Sequence, residues 1–505
     1  MLSESRSAPW PACPAPFNLA AHVLTRARDI PDRVALQILG ATGDVLWRYG
    51  QLEPAVLGVA AGLHALGLTP GARILLRLGN CVEFPLAFLG AVAAGFLPVA
   101  CPAALTGPEV TRLCAVVAPA LIVAGAEVAL PDTPSCPVID AAVLMKMSKG
   151  PAGSYQLGDP ERPAYLVYTS GTTGQPRAVI HAHRAIWARQ MMTQGWYELT
   201  AADRLLHAGS FNWTFTLGTG LFDPWTAGAT ALVPGAGVTP DQLPELLQRS
   251  GATLFAAAPA IYRQMLKSGA PLMLPDLRHG LTAGEKLAGQ VRADWTTATG
   301  LMLHEAFGLS ECSTFVSSCP ALPAQAGCVG YAQPGRRIAV MDASGTIVPR
   351  GQIGILAVHR SDPGLFLTYL GAEDETKARF CGDWFLTGDL AEMAADGAIR
   401  TLGRVDDMMN AGGFRVAPDE VETAFALCPG AGDVAAVEMA LGPGKSVIAL
   451  FYTGPADPPS LQAHANACLA RYKQPRVYRW LKTLPYTANG KLNRRALRER
   501  SEVEH

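Results

Sequence analysis

Short apolar runs recur along most of the chain. Arg73–Leu78, Leu121–Ala124, Ala164–Tyr168, Ala229–Val233 and Leu254–Ala257 each have the length of a buried strand. Between them lie stretches in which apolar residues return at helical spacing, such as Val56–Leu66 and Asp241–Ser250. Strands covered on both faces by helices read as continuous apolar runs, so this alternation predicts α/β layers on largely parallel sheets. Around Gly330–Tyr369 the pattern turns to short strands separated by turns (RRIAVMD, GTIV, GILAVHR), which predicts a β-rich subdomain. From about Gly403 a second unit begins: helical Asp419–Leu427, strand-like Val434–Met439 and Ser446–Tyr452, then a helix near Ser460–Ala470. The predicted fold class is α/β, with a large N-terminal domain of layered sheets (residues 1–402) and a small α+β C-terminal domain (residues 403–505).

One charge-free stretch, Phe84 to Pro108, is long enough to imitate a membrane span. Its Pro85, Gly95, Pro98, Pro102 and Pro108 divide it into a short buried helix near Leu86–Ala94 and a strand near Leu97–Cys101, so no membrane span is expected. Hydrophobic residues make up 49% of the 505 and charged residues 16%, enough apolar material for more than one core. A net charge of −1 provides no global field for nucleic acid or an anionic membrane, and any phosphate binding must be local. Eleven single cysteines without a CxxC pair, and an N-terminus lacking a basic stretch ahead of an apolar core, lead us to expect a reducing, cytoplasmic setting.

Residues 164–178, AYLVYTSGTTGQPRA, read either as a generic Ser/Thr/Gly turn or as a local phosphate site. A strand-like run leads into Thr169, Ser170, Gly171, Thr172, Thr173 and Gly174, followed by Arg177. Glycines allow tight turns there, while hydroxyls and free N–H groups can line an anion nest. It is not a Walker loop, since GxxxxGK[ST] is absent. Further on come TAGEKL (282–287), HEAFGLSE (304–311), GDWFLTGDLAEM (382–393), GRVDDMMNAGGFRVAPDEVE (403–422) and LPYTANGKLNRRAL (484–497). A hydroxyl beside a carboxylate, as at Ser310 and Glu311, is hard-oxygen chemistry suited to Mg²⁺ on polyphosphate. Ten Lys or Arg between Arg471 and Arg500 face one acid, Glu499, and we expect about half of them to serve polyphosphate binding.

Together these blocks, in this order over roughly residues 30–500, resemble the adenylate-forming superfamily of acyl-CoA synthetases, peptide-synthetase adenylation domains and luciferases. Two positions depart from its usual phosphate-loop pattern: Arg177 stands where the family has Lys, and Ala178 where it has Gly. The resemblance implies ATP, Mg²⁺ and coenzyme A as cofactors, and a mobile C-terminal domain that closes the site. It implies that Gly284, Glu285, Lys286, Glu305, Ala306, Phe307 and Gly308 lie along the nucleotide, with Phe307 as an aromatic face for adenine. Glu311 would hold the metal, Asp389 would accept from the ribose hydroxyls, Arg404 would contact ribose and Arg415 would approach the phosphates. Gly412 and Gly413 would border the pantetheine tunnel, Asp406 would be the hinge, and Lys491, with Thr169 and Glu311, would be catalytic.

The resemblance also implies that the run SFNWTFTLGTGLFDPW supplies part of an acyl pocket, with Trp213 and Thr214 the preferred residues. Asp223 is the only formal charge between His207 and Pro240. Aromatic walls without a cation favour an aromatic or small-to-medium apolar monocarboxylate, because a second carboxylate would want a buried Arg or Lys. His181 and His183, spaced i, i+2 with no carboxylate or cysteine nearby, make a weak metal pair, and His183 reads as a packing residue. The expected reaction is ATP-dependent formation of acyl-AMP and pyrophosphate, then transfer to coenzyme A. Loading of a separate acyl-carrier protein and a silent nucleotide-binding regulator remain as alternatives. Small molecules are the expected partners, with no nucleic acid, and a homodimer is the candidate assembly.

Overall fold

The computed structural model describes the whole chain apart from Thr42, residues 170–176, Ala270 and residues 412–413, 443–444, 488–491 and 504–505, and leaves out the side chains of some residues beside them. Among the described residues, nine strands form one sheet in the order Tyr331–Ala332, Ser313–Ser317, Leu303–Leu309, His279–Ala283, Leu254–Ala257, Arg204–His207, Thr230–Pro234, Val34–Leu39 and Val45–Arg48. From Leu303–Leu309 to Val34–Leu39 the strands run parallel, and antiparallel strands close both edges. A second sheet has the order Thr368–Tyr369, Arg177–Ala182, Pro163–Thr169, Leu97–Ala100, Arg73–Arg77, Leu121–Ala124 and Val138–Asp140. Every residue of Leu121–Ala124 and of Leu254–Ala257 is buried, as unbroken apolar runs require in sheets covered on both faces.

One hydrophobic core spans both sheets, joining Leu36 and Val233 of the first to Ile74 and Leu76 of the second. It is filled by helices Tyr49–Ala65 and Glu83–Ala93; from Phe84 onward every residue of the latter is buried. The charge-free stretch is therefore this inner helix and the strand Leu97–Ala100. Among the described residues no helix is long and apolar enough to cross a membrane.

A third sheet is antiparallel and built largely from the segment after Gly330. It runs Glu4–Arg6, Arg337–Met341, Ile353–His359, Trp384–Met393 and Phe380–Cys381, and Ile399–Arg404 also pairs with Trp384–Met393. That pairing sets Asp389 opposite Arg404. The chain leaves this sheet only at the short turn Val405–Asp407, two residues into the segment expected to be the second domain. Beyond it lie helix Pro418–Phe425, strands Val434–Gly442, Lys445–Tyr452 and Val477–Trp480, and helices Pro458–Cys468 and Arg494–Val503. Their apolar faces form two clusters of their own, around Phe425 and Leu450 and around Val437 and Leu484.

The basic tail is more internally matched than its composition suggests. Lys473 pairs with Glu420, Arg494 with Glu422, Arg495 with Glu499 and Arg498 with Asp407. Carboxylates distant in sequence neutralise Lys473, Arg494 and Arg498, while Arg495 pairs within its own helix.

Candidate active site

The strand Leu303–Leu309 carries Glu305, Ala306, Phe307 and Gly308 toward a cleft between the large unit and the C-terminal segment. Its register against Ser313–Ser317 shifts between Phe307 and Gly308. Gly308 is required there, since a Cβ would lie 2.1 Å from the Ser313 carbonyl oxygen. Ser313 takes the left-handed region at φ 60°, a strained choice for a non-glycine residue. Phe307 meets Phe315 edge-on at 5.6 Å and lines the cleft. The Glu305 carboxylate accepts from Leu287 N–H at 3.0 Å and from Arg292 at 3.1 Å. Burial pushes its carboxyl up to about 7 in spite of these donors.

At the turn after this strand, His181 Nε2 lies 2.7 Å from the Ser310 carbonyl and the Tyr369 hydroxyl donates to Glu311 Oε1 at 2.7 Å. Ser310 and Glu311 both line the cleft. Thr169 and Arg177 sit opposite each other where strands Pro163–Thr169 and Arg177–Ala182 pair, at the two ends of the segment expected to hold phosphate. Ser170, Gly171, Thr172, Thr173 and Gly174 lie outside the described residues. Arg177 lines the cleft and holds Glu375 through contacts of 2.7 and 2.6 Å.

Gly284 follows the strand His279–Ala283 at φ +96°, and a Cβ there would lie 2.6 Å from the Trp213 ring. The indole thus lies against bare backbone, with Phe215 at 5.1 Å and His207 at 6.4 Å, both perpendicular to it. Thr214 opens the helix Thr214–Leu217 beside it. Glu285 and Lys286 line the same cleft, and Lys286 Nζ reaches Asp419 of the C-terminal segment at 3.1 Å. Asp389 is buried at the opposite wall: its N–H donates to Thr387 Oγ1 at 3.0 Å and its carboxylate accepts from Arg404 at 3.1 Å. Arg404 also donates to the Thr387 carbonyl at 2.8 Å. Gly388, at φ +79°, is what lets the strand pass Arg404, since a Cβ would lie 2.9 Å from its guanidinium.

Asp406 lies in the turn Val405–Asp407, and Asp407 beside it is held by Arg498 at 2.7 Å. Lys491, Gly412 and Gly413, and the side chains of Asp406, Arg415 and Thr169, are outside what the structure describes. Of the two histidines, His183 Nδ1 accepts from Leu19 N–H at 3.0 Å, a packing role, while His181 stacks on Tyr165 at 4.9 Å.

Sequence reasoning missed several of these residues. Tyr369, Glu375 and Arg292 reach site residues through tertiary contact, and nothing local to them signals it. The aromatic run expected to supply an acyl pocket is met by a cation from outside it. Arg189, from outside the aromatic run, is buried there and clasps Asp223 through two contacts of 2.7 Å. It also donates to Ser313 Oγ at 2.6 Å, and Gly218 gives it room, a Cβ there lying 2.2 Å from the guanidinium carbon. The sequence places Arg189 and Asp223 thirty-four positions apart, so only the fold pairs them.

Comparison with known proteins bears on this cleft directly. The family described as AMP-binding enzyme matches residues 23–370, most of the segment that builds it. The chain belongs to the AMP-binding enzymes of the adenylate-forming superfamily. It is 30% identical to the 4-hydroxybenzoate–CoA/benzoate–CoA ligase of Rhodopseudomonas palustris, over 89% of this chain and 88% of that protein. It is 29% identical to the 3-hydroxybenzoate–CoA ligase of Aromatoleum sp., over 89% of this chain and 91% of that protein. The crystal structure of ATP-bound MatB from Rhodopseudomonas palustris shares the fold, with a TM-score of 0.87 at 23% identity over 97% of this chain and 100% of that one. The layered α/β architecture expected from the apolar runs is thus that of the AMP-binding enzymes.

Proposed function

We propose that this AMP-binding enzyme activates an aromatic monocarboxylic acid with ATP, forming acyl-AMP and pyrophosphate, and then passes the acyl group to coenzyme A with release of AMP. One observation carries the reading. A single cleft brings Glu311, the Asp389–Arg404 pair and the strand Leu303–Leu309 to the same surface as the aromatic wall at Trp213. The two relatives named above, ligases of benzoate and hydroxybenzoates, support the aromatic choice.

In this reading Asp389, held by Arg404 and the Thr387 hydroxyl, accepts from the ribose hydroxyls, and Phe307 faces the adenine. Thr169, the loop 170–174 and Arg177 hold the phosphates; Lys491 bridges the attacking carboxylate and the phosphoryl oxygens. Glu311 fits a Mg²⁺ carried on ATP, because such ions take one or two carboxylates beside phosphate and water rather than a full protein cage. When bound, the ion would neutralise phosphate charge. Residues 1–402 act as the adenylation domain and residues 403–505 as the mobile domain, turning at Asp406 so that Gly412 and Gly413 border the thiol's path.

The test is release of pyrophosphate and AMP over a panel of arene, short-chain and branched carboxylic acids, with and without coenzyme A. Arenecarboxylates should lead the panel, and AMP turnover should require coenzyme A. Turnover only with a phosphopantetheinylated carrier protein would move the acceptor to the carrier. ATP binding without either product would mean a silent regulator.

A further inference from the structure

The acyl side of the cleft does not end at Trp213. Thr214, Ser310 and Ser313 line it and also line a smaller cavity of ≈ 30 Å³ behind them, whose other walls include His181, Arg189 and Tyr165. That volume admits the tip of a substituent and not a second ring. Its polar groups have an unusual balance. His181 Nε2 faces a carbonyl, the oxygen of Ser310, which only accepts, so the ring's proton sits on Nε2 and Nδ1 carries a lone pair. Burial pulls the imidazole down to about 4, which keeps it neutral at physiological pH. The residue is buried, and among the described residues Nδ1 has no hydrogen-bond partner. Beside it, Arg189 donates to the hydroxyl of the strained Ser313 and spends its charge on Asp223, which also accepts from Tyr197 at 2.7 Å.

We propose that this cavity is a specificity subsite for one small hydrogen-bond-donating substituent, a hydroxyl or an amine, on the far side of the substrate's ring, with His181 Nδ1 as its acceptor and the Arg189–Ser313 pair as its polar floor. The inference rests on the arenecarboxylate reading and sharpens it. An unsubstituted or methylated ring leaves the buried lone pair unmatched, a penalty that burial makes large. A second carboxylate is also excluded: Asp223 already neutralises Arg189, and a new anion in so small a space would find acceptors and no free positive charge.

The experiment compares kcat/KM for 3- and 4-hydroxybenzoate, 3- and 4-aminobenzoate, the matching methylbenzoates, benzoate and the two benzenedicarboxylates. The best hydroxy or amino substrate should exceed its methyl counterpart by about tenfold or more, the two donor series showing which donor the cavity takes, and the dicarboxylates should be poor. His181→Leu should bring the ratio of donor-bearing to methyl substrates close to one, whatever the absolute rates. Equal kcat/KM for donor-bearing and methyl substrates in the unaltered enzyme overturns the subsite and leaves arenecarboxylate activation standing. Failure of every arenecarboxylate, with turnover of other acids, overturns the reaction reading and this inference with it. The ratio in the unaltered enzyme decides the matter even if His181→Leu does not fold.

Discussion

At the scale of single residues, the site depends on groups whose neighbours set their chemistry. We assign Lys491 to the first half-reaction because an ammonium can bridge the attacking carboxylate and the transferring phosphoryl oxygens only while phosphorus is being displaced. Lys491→Ala should cut acid-dependent pyrophosphate release by about 10²–10³-fold yet still convert supplied acyl-AMP to thioester; equal loss in both assays would contradict the role. Glu311 and Asp389 were recognisable from their flanking motifs. Their partners were not, because Tyr369 lies 58 positions from Glu311 and reaches it only through the pairing of Thr368–Tyr369 with Arg177–Ala182. The Arg189–Asp223 clasp was hidden for the same reason. A charge count along one segment cannot register a cation delivered by another.

At the scale of elements, most strands were legible because full burial leaves a continuous apolar signature. Leu121–Ala124 and Leu254–Ala257 are observed with the bounds their apolar runs mark. The β-rich region was visible in outline, but its pairing was not: GTIV contributes an isolated bridge at Ile347, and the first strand of the chain, Glu4–Arg6, joins that sheet beside Arg337–Met341. The link proposed to turn between the half-reactions is Val405–Asp407, among the described residues the one helical turn between the antiparallel sheet and helix Pro418–Phe425. A proline at 406 fixes φ and removes an N–H, which should hinder reorientation more than it hinders folding. Asp406→Pro should therefore slow thioester formation from acyl-AMP by about tenfold or more while sparing pyrophosphate release, measured in separate half-reaction assays. An unchanged second step would remove the hinge from Asp406.

At the scale of the whole molecule, burial of histidines makes the fold sensitive to acid. His22, His181 and His279 are pulled down to about 4, and His183, His207 and His304 to about 3, each chiefly by desolvation. Groups whose folded pKa is depressed contribute stability above the unfolded value near 6.5 and lose it as pH falls toward the folded one. Each supplies up to about 1.4 kcal/mol per pH unit in that window. Glu305, raised to about 7, and Glu422, also raised by burial, act in the opposite sense, but they are two groups against six. The thermal midpoint should fall steeply from pH 6.5 toward 4. His207, neither of whose ring nitrogens has a partner among the described residues, gives the cleanest check: His207→Leu should flatten that slope by about one proton's worth. An unaltered slope would mean that His207 does not titrate with unfolding.

The sequence alone determined the layered α/β class and the order of the motif blocks that mark the family, because these are written in local periodicity and in short runs that act within one turn or strand. Tertiary structure alone decided which charges cancel and which polar atoms stay unmatched. Those properties belong to pairs of residues brought together by sheet register and helix packing. Electrostatic energy depends on distance and burial, and neither is encoded in any single stretch of the chain.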